Sequence, residues 1–180
     1  TSEFLANKGG NVTGIDFSQE TIKIANQKKS QKNINYLVKS IFDINEVNQY
    51  DIIISWGVLA IACSDKHELE IVMSKLSLSL KEGGIMLLME PVHDNMLYRV
   101  LQMNIKNFSK VITNSGFKII STSALYFWPM RLLLAYCIFP KVITKIGYNI
   151  GYFILKITKY KYFGDYSAFL CEKKKNQLSI

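Results

Sequence analysis

Apolar and polar positions follow two rhythms along this chain, and the switches between them mark out its elements. Residues 3–8 read as the end of a helix closed by Gly9-Gly10. Asn11 to Phe17, with β-branched Val12, Thr13 and Ile15, predicts a short strand. Ser18 is a good helix N-cap, and the helix after it runs to about Gln31, burying Ile22, Ala25 and Ile24. A strand follows at Ile34–Val38. Tyr50–Trp56, with its run Asp51-Ile52-Ile53-Ile54-Ser55, reads as a strand covered on both faces. Asp65 and Glu68 make a capping-box start for a helix whose Leu69, Val72, Met73, Leu76 and Leu80 form one apolar stripe. Gly83-Gly84 stop that helix, and Ile85–Met89 forms a buried strand leading into Glu90-Pro91. A helix from Asn95 to Asn114, a turn at Ser115-Gly116, a strand from Phe117 to Ser123 and a last strand at Tyr166–Glu172 complete the pattern.

Strand and helix alternate with short connections through residue 120, which predicts the α/β class: a Rossmann-like, doubly wound, mostly parallel sheet with helices on both faces. The end of the chain differs. Two strands close it as an antiparallel pair with an apolar helical insertion between them, so the core is expected at 1–127 and 165–174, the insertion at 128–164, and a loose tail at 175–180. The run Leu132–Phe139 is too short to cross a bilayer, which takes about 20 apolar residues. The stretch after Pro140 is interrupted by Lys145, Gly147, Asn149, Gly151 and Lys156. A pair of helices over the mouth of a site fits this pattern. Such a lid would admit a greasy acceptor or rest in a membrane interface with its lysines at the headgroups. A helical subdomain packed on the sheet, or a dimer contact, fits equally.

With 180 residues, 49% of them hydrophobic and 20% charged, the chain can bury one core and is not disordered in character. Its net charge of +8 favours anionic partners. The lysines gather at 28–39 and again at 141–175, and the second group is interleaved with aromatic and aliphatic residues. That interleaving points to a membrane surface rather than nucleic acid, although a solvated lysine-rich face accounts for it as well. Cys63, Cys137 and Cys171 each sit in an apolar run and read as small buried hydrophobes in a reducing compartment. With only His67 and His93 as imidazoles, no metal site is expected. No charged-then-apolar leader precedes the first elements, so a cytoplasmic protein is expected, with membrane association through 128–164 left open.

Asp16 is the most informative candidate. It stands at the carboxyl end of a strand and just ahead of a helix start, the place where open α/β sheets bind ligands. A carboxylate only accepts hydrogen bonds, which suits the vicinal diol of a ribose. Helix capping would account for the same residue, and nicotinamide-dependent oxidoreductases use the same device.

Four segments in order narrow the choice: Val12-Thr13-Gly14-Ile15-Asp16-Phe17-Ser18, Tyr50–Leu59, Leu80-Lys81-Glu82-Gly83-Gly84-Ile85, and Asn114-Ser115-Gly116-Phe117. Together they resemble the class I S-adenosylmethionine-dependent methyltransferases, over nearly the whole chain. The resemblance implies S-adenosylmethionine as cofactor and methyl transfer but says nothing of the substrate; the apolar insertion is what makes a small, hydrophobic or lipid-like acceptor the expectation. It makes Asp16 the ribose ligand and Phe17 an apolar wall against the adenine. It places Ser40 and Ile41 at the adenine edge, where the family commonly has an acid and a small residue; Asp43 lies near enough to compensate for the missing acid. Trp56 falls beside the methionine part of the cofactor. Glu90, His93 and Asp94, beyond the fifth strand of the family pattern, are candidates for contact with the acceptor, Glu90 and His93 as acid–base groups.

The chain also departs from the family. Many small-molecule members carry histidine after the fourth strand, where this chain has Leu59-Ala60-Ile61. The family's first strand and Gly-x-Gly loop would precede Thr1, so the chain reads as a methyltransferase domain that lacks the segment normally opening it. A non-catalytic protein derived from a methyltransferase, acting at a membrane surface or in an interaction, is the alternative of a different class.

Overall fold

The computed structural model describes residues 1–94, 103–158 and 163–175. They form two compact units, Thr1–Asn45 and Glu46–Ile180, each with its own sheet.

The first unit holds α1 (Ser2–Asn7), β1 (Val12–Asp16), α2 (Gln19–Lys28), β2 (Ile34–Val38) and a single 3-10 turn at Ile41–Asp43. Gly9, at φ +88°, takes the left-handed conformation that ends α1. β1 and β2 pair in parallel, Val12 opposite Ile34 and Asp16 opposite Val38. Ser18 caps α2, its hydroxyl accepting from the Thr21 amide at 3.2 Å. The helix stops at Lys28, short of Gln31, because side chains draw the next residues out of it. The Glu3 carboxylate accepts from the Ser30 amide at 3.0 Å and the Ser30 hydroxyl at 2.7 Å. The Asn33 amide donates to the carbonyls of Ala6 at 3.0 Å and Gly10 at 2.6 Å. Of the expected apolar face of α2, Ile22 is buried and Ala25 half-buried, while Ile24 stays exposed. Two strands offer too little sheet to cover more.

The second unit holds β3 (Tyr50–Trp56), a short α3 (Leu59–Ala62), α4 (Lys66–Ser79), β4 (Leu80–Glu90), α5 (Ile105–Asn114), β5 (Phe117–Phe127), α6 (Trp128–Tyr136), α7 (Lys141–Thr158) and β6 (Gly164–Lys173). Its sheet runs β3-β4-β6-β5. β3 and β4 are parallel, and β6 lies antiparallel to both β4 and β5, the terminal antiparallel pair the sequence predicts. α4 begins as expected, Asp65 accepting from the Glu68 amide at 2.9 Å while Glu68 accepts from the Ser64 amide at 2.7 Å. Leu69, Val72, Met73 and Leu76 on its inner face are buried. α5 is capped twice, by Asn104 on the Asn107 amide at 2.8 Å and by Asp94 on the Ile105 amide at 3.0 Å. The helix expected from Asn95 thus appears from Ile105; 95–102 lie outside the described residues, as does most of the 175–180 tail. The core closes on Phe108 and Phe169, both fully buried, with ring centroids 5.3 Å apart.

Three expectations are corrected here. β3 is not covered on both faces: Ile52 is 56% and Trp56 52% exposed. It stands at the edge of its sheet, with β4 as its strand partner. Gly83-Gly84 do not stop α4, which already ends at Ser79; they sit inside β4, where the register slips between the Tyr50–Leu80 and Ile52–Ile85 pairs. Gly83 has φ +73°, and a β carbon on Gly84 would lie 2.8 Å from the Lys81 carbonyl oxygen and 3.2 Å from that of Asp51. The glycine pair therefore makes a bulge with no room for a side chain. Finally, Cys63 and Cys171 are buried but Cys137 is exposed, because it follows the last turn of α6 as its C-terminal cap.

Gly84→Ala should lower stability by about 1–3 kcal/mol, the cost of forcing atoms into a filled site, read as a lower urea midpoint. Cys137 should react with a thiol reagent in the native state. Cys63 and Cys171, whose thiols burial pushes up to about 11 and about 12, should react only on unfolding.

Candidate functional site

Both units present the carboxyl ends of a parallel strand pair. In the first unit this edge carries four of the expected residues. Asp16 ends β1, half-buried, and its Oδ1 accepts from the Ser18 amide at 2.8 Å. That bond fixes the carboxylate at the strand tip; Oδ2 has no partner among the described residues. Phe17 follows with its ring 83% exposed, an apolar side chain that the unit's own packing does not use. The Lys39 amide donates to the Asp16 carbonyl at 2.9 Å, so the chain leaving β2 is held against the end of β1. Ser40 and Ile41 come next, both half-buried. The Ser40 hydroxyl accepts from the Phe42 amide at 3.2 Å and so caps the 3-10 turn. Asp16, Phe17, Ser40 and Ile41 thus share one edge, and Asp43, in the same turn, is exposed.

In the second unit, the edge where β3 and β4 end carries Trp56, Glu90 and His93. Trp56 pairs in register with Met89 and is half-exposed. Gly57 then turns at φ +64°, its amide donating to the Met89 carbonyl at 2.8 Å. Glu90 is fully buried. Its Oε1 accepts from the Ser55 hydroxyl at 3.0 Å and the Leu59 amide at 3.3 Å, and its Oε2 from the Ala60 amide at 3.1 Å. A carboxylate spent on the backbone of the β3–α3 connection is a positioning group, so its expected acid–base role gives way to holding that loop. Burial pushes its pKa above the ordinary 4.5, and the hydrogen bonds from Ala60, Leu59 and Ser55 only partly offset this. His93 is also buried, at 2% exposure, and Asp94 is the cap of α5 already described. Among the described residues no group of His, Cys, Asp and Glu could hold a metal ion.

The sequence reading missed an aromatic group at this same edge. Tyr166 lies beside Gly57, where a β carbon would come within 3.8 Å of its ring and hydroxyl. Its ring stands edge-on to Tyr126 at 5.7 Å, and Tyr126 in turn to Tyr148 of α7 at 6.3 Å. Arg131 of α6 lies 5.5 Å from the Tyr166 ring centroid and pairs with the Asp165 carboxylate. Tyr126 holds φ +56°, uncommon for a tyrosine, where β5 gives way to the insertion. α6 and α7 are therefore anchored at the edge where β3 and β4 end. The signal was present in Tyr126 and in Asp165-Tyr166, which flank the insertion, but spacing alone could not bring them together.

A family profile described as a methyltransferase domain matches residues 2–132. The chain belongs to that family. Membership decides against a nicotinamide-dependent oxidoreductase. No curated protein sequence matches the chain. Solved structures share the fold. An S-adenosylmethionine-dependent methyltransferase from Archaeoglobus fulgidus aligns with a TM-score of 0.65 at 13% identity, over 95% of this chain and 80% of that one. Haemonchus contortus phosphoethanolamine N-methyltransferase 2, in complex with S-adenosylmethionine, gives 0.62 at 16% identity over 95% of this chain and 45% of that one. A Burkholderia thailandensis 1,6-didemethyltoxoflavin-N1-methyltransferase with bound S-adenosylhomocysteine gives 0.61 at 10% identity, over 96% and 65%. The class I, Rossmann-like α/β fold of the methyltransferase domains is thereby shown, and S-adenosylmethionine is the cofactor of such neighbours.

Glu90→Ala leaves three buried donors without an acceptor and should cost on the order of 3 kcal/mol in urea denaturation. Glu90→Gln, which keeps one acceptor oxygen, should cost less. The carboxyl holds its proton more tightly in the folded state, so its contribution is full below pH 4.5 and is lost as pH rises through the elevated value. In the Gln variant that decline in stability with rising pH should flatten.

Proposed function

We propose that this chain binds S-adenosylmethionine through the carboxyl edge of its first unit and transfers the methyl group to a small, hydrophobic or lipid-like acceptor. The observation that carries the reading is Asp16: half-buried at the tip of β1, one oxygen fixed by the Ser18 amide and the other without a partner among the described residues. Such a carboxylate fits a ribose diol, and the exposed Phe17 ring beside it fits a purine face. Ser40 offers a hydroxyl proton at the adenine edge, since its oxygen already accepts from Phe42.

When bound, S-adenosylmethionine supplies a methyl group on a sulfonium that is already a good leaving-group centre. The protein's contribution is alignment, holding the acceptor atom in line with that methyl. Trp56, half-exposed and followed by the Glu90-tethered loop, gives the second unit an apolar wall of fixed position at the carboxyl end of β3. With Glu90 and His93 buried, the favoured acceptors are those that need no general base from these two side chains.

Isothermal titration with S-adenosylmethionine and S-adenosylhomocysteine tests the reading. Losing a charge-assisted hydrogen bond costs about 1.5–3 kcal/mol, so Asp16→Ala should weaken binding roughly 10–100-fold, and Asp16→Asn by less. Equal affinity in Asp16→Ala, or no binding by the unaltered chain, would overturn it.

A further inference from the structure

The insertion carries chemistry that methyl transfer does not use. α7 has three faces. Gly147 and Gly151 are buried against α6 and the end of β5: a β carbon on Gly147 would meet Leu134 at 3.1 Å, and one on Gly151 would meet Phe127 at 3.0 Å. With Leu155 they make the packed face. A second face carries Lys141, Lys145 and Lys156, all exposed. The third is apolar and turned to solvent: Ile146, Ile150, Phe153 and Ile157 recur at the three- and four-residue spacing of one helical stripe, and each is 48–61% exposed. α6 adds exposed Leu132 and Leu133. The residues with the smallest side chains have thus gone inward and the largest apolar ones outward, the reverse of a helix that only covers a core.

The charge pattern says what such a surface fits. From residue 95 to residue 164 the sequence contains no aspartate or glutamate, while Arg131, Lys141, Lys145, Lys156, Lys159 and Lys161 fall within 128–164. No described helix is long and apolar enough to cross a membrane. We propose that the face formed by α6 and α7 docks on an anionic lipid surface. The stripe Ile146–Ile157 enters the headgroup–acyl boundary and the flanking lysines sit among lipid phosphates. Pairing with a second copy of the same face would bring cations against cations with no carboxylate in the patch to offset them, so the lipid surface is the favoured occupant. The proposal does not depend on methyl transfer.

Flotation with vesicles of phosphatidylcholine containing phosphatidylglycerol, and with vesicles of phosphatidylcholine alone, tests it. The chain should float with the anionic vesicles at least about tenfold more tightly than with the neutral ones, and high salt should reduce the difference. Ile150→Asp/Phe153→Asp should abolish flotation. Lys145→Glu/Lys156→Glu should remove the preference for anionic lipid, at roughly fivefold or more per residue. All four side chains are exposed, and an unchanged thermal melt in each variant excludes unfolding as the cause. Equal flotation with both vesicle types, none with either, or a dimer in sedimentation that Ile150→Asp/Phe153→Asp dissociates would each overturn the proposal. Methyl-donor binding is read separately by the Asp16 titration, so the two readings fail independently.

Discussion

The second unit turns on a carboxylate shut away from water. Glu90 ends β4 but spends both oxygens on the connection leaving β3, tying together the carboxyl ends of two parallel strands that share no covalent neighbour there. Without that acceptor the Leu59 and Ala60 amides would be buried and unsatisfied, which a protein interior does not tolerate cheaply. Trp56 and Gly57 are held between the Ser55 and Leu59 bonds to Glu90 and by their pairing with Met89, and Tyr166 lies beside Gly57 at the same edge. One side chain thus connects strand packing to the placement of everything proposed to meet an acceptor.

Much of this was legible in the sequence, because local chemistry and tertiary need agreed. The Asp65–Glu68 start of α4, the Ser18 cap and the strand at Val12–Asp16 stand where the residue types put them. Asp16 was legible for the same reason: an acid at a strand tip before a capping serine has few conformations open to it. What stayed hidden depends on distant neighbours. An unbroken apolar run reads as a doubly covered strand, yet β3 lies at a sheet edge and Ile52 meets solvent. Gly83-Gly84 read as a helix stop because glycine marks any break in regular structure, and only the pairing with β3 shows a bulge. Glu90 was recognisable as a polar residue after a strand, but its role lies in bonds to residues 30 and more positions away.

The two units divide the chemistry unequally. The first is small, with a two-stranded sheet and few buried side chains, and its carboxyl edge carries the Asp16 carboxylate and the exposed Phe17 ring. The second holds the larger core and carries Trp56, Glu90 and His93 at the edge where β3 and β4 end. The insertion is grafted on where β5 ends and β6 begins, clamped by the Arg131–Asp165 pair and the tyrosine group. The outer faces of α6 and α7 can therefore change in sequence while the strands beneath keep their packing.

β6 is made last of the four strands in its sheet, yet it occupies an interior position between β4 and β5. Phe169 and Cys171, both fully buried, arrive with it. During synthesis β4 and β5 must therefore wait, each with an open edge, until residues 164–173 have left the ribosome. Over that interval the nascent chain is at its most exposed to mispairing and to capture by chaperones, and completion of this one strand closes the sheet.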